Sequence, residues 1–403
     1  MLHDCVCLCV LSTVAQPADP AQILPGSTSA NRASTATRGF FLLSGIGMAS
    51  WAPMVPFAKT RLGLDDAQLG IVLLCMGLGS AGAMPLAGFL THRYGNRRVM
   101  TISGVMICVS LPLLVAAPSA IALGAALAFF GGALGVTDVA MNAHAVDVEK
   151  LQRRPVMSGF HGLFSLGGLA GSAGMTALLG MGAPLGGSAV AVSILLLAIV
   201  ATQWRKLLVA VPAGATAQRS MFALPSATVL LLGLLCLVVF LAEGAMLDWS
   251  AVFLRSVRGF EISGAGLGYA AFSVAMATGR LLGDRITTAL GPLRVVRYGG
   301  LVAASGFALA TLLPWPATSL AGFVLVGLGA SNIVPVLFSA AGRIPGTTPG
   351  ISIATVTALG YAGMLAGPAV IGFVAHASSL PIALSGIAVL LVAVSACAAI
   401  ARR

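Results

Sequence analysis

The candidates for chemistry in this sequence are the few ionisable side chains inside its long apolar stretches. Asp138 and Asn142 are four residues apart, so on a helix they share a face. Asp138 lies 12 residues before Lys150, a rise of about 18 Å on a helix. In a bilayer that is mid-depth, where an ionisable group costs roughly 2.5 kcal/mol or more and usually faces a cavity. A carboxyl kept there suits reversible proton binding; a carboxylate hydrogen-bonded between helices is the plainer alternative. Glu243 is the second candidate proton carrier. Asp248 follows five residues later, about 140° around a helix, so the two acids cannot share a face. Asp248 is expected at an outer mouth, either in a salt bridge with Arg255 or Arg258 or against a substrate.

Ser158, His161, Ser165 and Ser172 are spaced to form one polar stripe on a helix. His161 titrates near neutrality and can bind substrate or relay protons, and a packing role is its alternative. Trp51 and Trp249 are expected near the outer ends of spans, as interfacial belt residues or as substrate contacts. Asn332, 194 residues beyond Asp138, is a further candidate contact. Other chemistries lack their motifs. No Gly-Lys dipeptide exists, which excludes a P-loop, and the cysteines have no metal-ligand spacing. Gly77-Leu-Gly79-Ser-Ala-Gly82 fits a dinucleotide pattern but has no strand before it, so helix packing explains it better. A Ser–His–Asp hydrolase would need a nucleophile elbow that is missing. The sequence therefore reads as a non-enzyme with no cofactor and no metal.

The elements that position these residues follow from composition. Of 403 residues, 58% are hydrophobic and only 8% charged, with a mean hydropathy of +1.01. A soluble chain carries roughly 25% charged residues, so lipid must be the main solvent here. Fifty glycines suit helices that pack closely in a bilayer. The expected fold is all-α: a polytopic membrane protein with 12 transmembrane helices in two pseudo-symmetric halves of six. Apolar segments of spanning length fall at 39–57, 68–90, 99–116, 121–144, 156–179 and 185–203. Six more fall at 226–253, 264–287, 295–313, 319–341, 351–375 and 381–401. This divides the chain into a disordered tail at 1–37, a first half at 38–204, a linker at 205–224 and a second half at 225–403.

The net charge of +11 is a topology signal. With the N-terminus inside, 17 of the 22 basic residues fall on the cytoplasmic side, so both termini are expected there. Nucleic acid is not an expected partner. The halves also resemble each other: Gly95-Asn-Arg-Arg98-Val99 aligns with Gly291-Pro-Leu-Arg294-Val295, and Trp51 aligns with Trp249. Such ordered matches read as parallel repeats about an axis along the membrane normal.

Between spans 2 and 3 stands Gly88-Phe-Leu-Thr-His92-Arg93-Tyr-Gly95-Asn-Arg97-Arg98. It resembles the signature loop of the major facilitator superfamily, Gly-x3-Asp-Arg-x-Gly-x-Arg-Arg. A second copy, Gly279-Arg280-Leu-Leu-Gly283-Asp284-Arg285, precedes Gly291. The resemblance implies that these loops hold the halves together in the outward-facing state. Plain positive-inside anchoring is the alternative role for Arg97 and Arg98. His92 stands where the family has an acid, which leaves Asp284 with Arg280 or Arg285 as the better expected pair. Gly135-Val-Thr-Asp138-Val-Ala-Met-Asn142 resembles a stretch of fucose-permease-like transporters whose acid is linked to proton coupling. That branch also has an acid in span 1, and 39–57 has none, so sugar specificity is not carried over. The pattern is also similar to bacterial inner-membrane permeases.

The expectation is thus a secondary active transporter of a small polar organic solute, a proton symporter first and an exporter of metabolites or drugs second. A non-transporting sensor is the third reading. The expected partners are substrate, protons and lipid, and the expected state is a monomer in a bacterial inner membrane.

Overall fold

In lipid, a backbone polar group has no water to bond, so each apolar segment satisfies its own amides as a helix. The computed structural model describes residues 27–64, 66–209, 225–260, 267–345 and 347–402. Among the described residues there are twelve long helical spans and no strand. In the first half these are α1 (Ser27–Ser50), α2 (Asp66–Tyr94), α3 (Asn96–Ala116), α4 (Ala120–Gln152), α5 (Met157–Gly180) and α6 (Leu185–Gln203). In the second half they are α7 (Ala227–Arg258), α8 (Leu267–Leu290), α9 (Pro292–Leu312), α10 (Pro316–Ala330 continued by Ile333–Ala341), α11 (Pro349–Ala377) and α12 (Leu380–Ala396). Ten are long and apolar enough by themselves to cross a membrane. The other two, α1 and α8, carry Arg32 and Arg38, and Arg280, Asp284 and Arg285, respectively.

Helix ends follow local chemistry. Ser119, Ser226 and Ser379 cap α4, α7 and α12, each hydroxyl accepting a backbone N–H of the first turn. One glycine separates α2 from α3 and one separates α8 from α9. Gly95 and Gly291 adopt φ of 80° and 78°, a conformation that disfavours any side chain. The matched sequence copies are therefore matched turns.

Two expectations need correction. The span expected at 39–57 begins earlier, because α1 starts at Ser27, and the tail does not extend to residue 37. Ala33, Ala36 and Thr37 are fully buried. The Thr37 hydroxyl donates to the Ala33 carbonyl at 2.9 Å and contacts Nδ1 of His144 at 2.9 Å. The segment is polar by composition but its small side chains let α1 pack closely. Residues 1–26 of the expected tail, and 210–224 of the expected linker, lie outside the described residues.

Each half uses the same pairing of helices. In the first, α1 packs on α5, α2 on α4 and α3 on α6; in the second, α7 packs on α11, α8 on α10 and α9 on α12. The halves meet through α2 with α11 and α5 with α8, two contacts that a two-fold axis interchanges. Small residues allow these approaches. A Cβ on Gly79 would overlap the Ala128 carbonyl, and one on Gly131 would overlap the Met76 carbonyl, so α2 and α4 touch backbone to backbone. Helix packing thus accounts for Gly79. Twelve spans place both ends of the bundle on one face, together with the arginine-rich connections α2–α3, α4–α5, α8–α9 and α10–α11. We refer to it as the basic face.

Candidate substrate and coupling site

Buried polar groups must find partners, and at mid-depth they find each other. The Asn142 amide donates to Asp138 twice, to its carbonyl at 2.9 Å and to its Oδ1 at 3.3 Å. Asn142 Oδ1 in turn meets His161 Nε2 at 3.1 Å, which makes that nitrogen the donor. Asn142 is fully buried, whereas Asp138 and His161 are partly accessible. The His161 ring is held between Phe41 and Phe338, with centroids at 5.2 and 5.8 Å. One turn on, the Ser165 hydroxyl donates to the His161 carbonyl at 3.2 Å.

From Ser165 the network crosses to the second half. Arg280 Nη1 donates to Ser165 Oγ at 3.2 Å, and its Nη2 donates to both oxygens of Glu243, at 3.0 and 3.2 Å. Its Nε donates to the Ser331 carbonyl at 3.4 Å. Arg280 is 7% exposed, so this is a desolvated ion pair. Arg280 was expected to pair with Asp284, one helical turn away. Instead the guanidinium takes the acid at its own depth, and Asp284 takes the first turn of α5. Asp284 Oδ1 accepts the Gly159 N–H at 3.0 Å, where free amides and the helix dipole favour a negative charge. Arg285 forms no ion pair among the described residues.

Tyr361 of α11 was not foreseen. Its ring meets Phe240 of α7 edge to face, with centroids 5.8 Å apart. It also packs on a small apolar cluster of Met84, Ala87, Val139 and Ala354 between the halves. A tyrosine within an apolar span gives no sequence signal for this position.

Nearer the basic face the halves are joined by two further contacts made by charged side chains. Lys150 Nζ donates to the Gly342 carbonyl at 2.8 Å, and Arg343 pairs with Glu149. Glu149 is buried and also accepts the N–H groups of Val156 and Met157, at 3.0 and 3.2 Å, at the start of α5. Two carboxylates, from α4 and α8, therefore hold one helix N-terminus. Glu149 and Arg343 were missed, although their separation equals that of Asp138 and Asn332. In the first motif copy, Gly88 packs on Gly350 and Ala354 of α11, and His92 makes no hydrogen bond among the described residues. Asn96 donates to Asp147 at 3.3 Å. Arg93 lies over the Tyr94 ring and Arg97 over the Trp204 ring. Gly283 faces Ser158 and Asn332 with no room for a side chain.

Among the described residues, the remaining candidates bond to neither carboxylate of this network. Asn332 is buried at the break in α10, where its amide donates to the Gly279 carbonyl and to Ser331 Oγ, both at 3.0 Å. Trp51 is buried, and Trp249 packs beside Gly372; both indole N–H groups are buried without a partner. Asp248 is exposed and pairs with neither expected arginine among the described residues. Arg258 instead donates to the carbonyls of Ala310 and Leu313, both at 2.7 Å, and to Ser319 Oγ at 2.9 Å. No group of three or more acidic, histidine or cysteine residues forms a metal site among the described residues.

A family model described as Major Facilitator Superfamily matches residues 39–344. The chain belongs to the major facilitator superfamily. An uncharacterized MFS-type transporter of Yersinia pestis is 48% identical to this transporter over 363 residues, covering 90% of this chain and 94% of the relative. Membrane protein MosC of Rhizobium meliloti is 34% identical, over 86% of this chain and 84% of its own. Among solved structures, the transporter FucP in the outward conformation superposes with a TM-score of 0.76 at 16% identity, over 93% of this chain and 99% of its own. The protein is a multi-pass membrane transporter of this superfamily, not an enzyme.

Proposed function

We propose that this transporter is a secondary active proton symporter for a small polar organic solute, working by alternating access between its two halves. The observation that carries this reading is the mid-depth network running from Asp138 through Asn142 and His161 to Ser165, Arg280 and Glu243. It holds two carboxylates, one per half, and a single hydrogen bond between Ser165 and Arg280 spans the halves within it. Asp138 is the proton carrier, because it is partly accessible and its side chain bears no cation. Glu243 is tied to Arg280 and carries the second proton-linked step.

The accessible polar groups beside Asp138, namely His161 and Ser165, contact substrate. Trp51, Asp248, Trp249 and Asn332 belong to the outer approach and to the scaffold around that site. The positive-inside bias supports a cytoplasmic basic face with both termini there, in our reading within a bacterial inner membrane. The closed contacts at that face, Gly88 on α11, Asp284 on α5 and Arg343 on Glu149, support reading this as the outward-facing state. Two fold neighbours are proton symporters, one of fucose and one of xylose, which supports the coupling.

Proteoliposomes with an imposed pH gradient test the reading. Candidate solutes, first selected by thermal shift, should accumulate in wild type. Asp138→Asn should abolish gradient-driven accumulation and retain solute counterflow. Accumulation that survives in Asp138→Asn would sink the proton role.

A further inference from the structure

A groove of about 430 Å³ lies at the basic end of α3, away from the interface between the halves. Arg97, Arg98, Thr101 and Trp204 form its polar wall, and Ile102 and Val209 its apolar one. We infer that this groove binds the headgroup and upper acyl chain of an anionic phospholipid.

The first reason is unspent positive charge. Arg97 stacks on the Trp204 ring at 5.0 Å, and Arg205 stacks on the same ring at 5.1 Å. Neither Arg97 nor Arg98 has an acidic partner among the described residues. A guanidinium fork matches phosphate oxygens, and a tryptophan suits the headgroup level. The second reason is the direction in which the groove opens. Ile102 is 63% and Val209 72% exposed, and Ile102 continues into an exposed apolar stripe with Val109 and Leu113 along α3. A soluble anion has no use for that wall, whereas an acyl chain covers it. The third reason is asymmetry. The matched turn of the second half also carries two arginines, Arg294 and Arg297, but Leu293 stands where the first has Arg97 and no tryptophan follows α12, so the adjacent arginine pair beside Trp204 is particular to the first half.

The test uses the full-length protein, purified in detergent and stripped of lipid. Dioleoyl phosphatidylglycerol, dioleoyl phosphatidylcholine and inorganic phosphate are added in separate arms, and bound lipid is counted by native mass spectrometry. Phosphatidylglycerol should bind, phosphatidylcholine should bind more weakly, and phosphate alone should neither bind nor compete at millimolar concentration. Arg97→Gln with Arg98→Gln should weaken phosphatidylglycerol binding by about 30-fold, from roughly one surface cation's worth of attraction per arginine. Arg97→Lys with Arg98→Lys should retain part of it, and Trp204→Leu should weaken it independently. The control pair Arg294→Gln and Arg297→Gln, at the matched turn, should leave it unchanged. Equal loss in the control pair, equal binding of both lipids, or undiminished binding in the Arg97/Arg98 variant overturns the proposal. Competition by phosphate reassigns the groove to a soluble anion and equally overturns it.

Discussion

Glu149 and Arg343 meet at the basic face from positions 194 residues apart, the same offset that aligns Asp138 with Asn332. Equivalent sites in the two repeats thus face each other at the pseudo-two-fold axis, one acidic and one basic. Duplication places like residues opposite each other, and this divergence to opposite charge turns a symmetric contact into a latch. Arg343→Gln leaves the buried Glu149 carboxylate without its counter-charge. Glu149→Gln leaves Arg343 in solvent and keeps a neutral acceptor for the Val156 and Met157 amides, so it should cost less, about 2 kcal/mol of stability. Thermal unfolding of the two purified variants checks the order. Equal losses would show that desolvation of the Glu149 charge carries no weight.

Arg280 and Glu243 form the desolvated pair of the second half. Glu243→Gln leaves a buried guanidinium without its counter-charge, which should cost about 3–5 kcal/mol. Adding Arg280→Gln should recover much of that stability while transport stays lost. A double variant no more stable than Glu243→Gln alone would show that the pair is not a closed unit.

The glycines of α2 separate packing from mere composition. Gly79→Ala must push the Ala128 carbonyl away, whereas Gly82→Ala enters open space. The first should lower the unfolding temperature by several degrees, and the second should leave it unchanged. Thermal shift of both variants in detergent is sufficient to distinguish them.

His144 is a buried tie between α1, α4 and the chain leaving α6. Its Nε2 accepts the Leu208 N–H at 2.9 Å, while Nδ1 meets the Thr37 hydroxyl at 2.9 Å. His144→Leu leaves that amide unsatisfied and should cost about 1–3 kcal/mol. Amide exchange at Leu208 should quicken in the variant, and unchanged exchange would rule out the bond as a restraint.

Much of the fold was legible because hydropathy and charge are properties of single segments. The twelve spans and the matched turns at Gly95 and Gly291 needed no tertiary information. The ionisable residues of the mid-depth network, Asp138, His161, Arg280 and Glu243, stood out because charge is scarce inside spans. Partners were harder to read. Arg280 and Asp284 stand four apart on one helix, which made them look like a pair, but Glu243 reaches Arg280 from another helix at the same depth. Asn332 looked like a cavity residue by its repeat position, yet it sits at a helix break that only the packed structure displays. The start of α1 was hidden because small polar residues such as Ser34 and Thr37 score as loop while packing as core.

The single residues Gly95 and Gly291 leave α2 and α3, and likewise α8 and α9, without slack. A helix of 29 residues such as α2 is about 43 Å long. Tilting it by about 10° swings its far end by about 7 Å, and α3 is dragged with it. The joint therefore works as a lever: a modest rotation at one end of α2 becomes a wide displacement at the other, with no element needing to unwind.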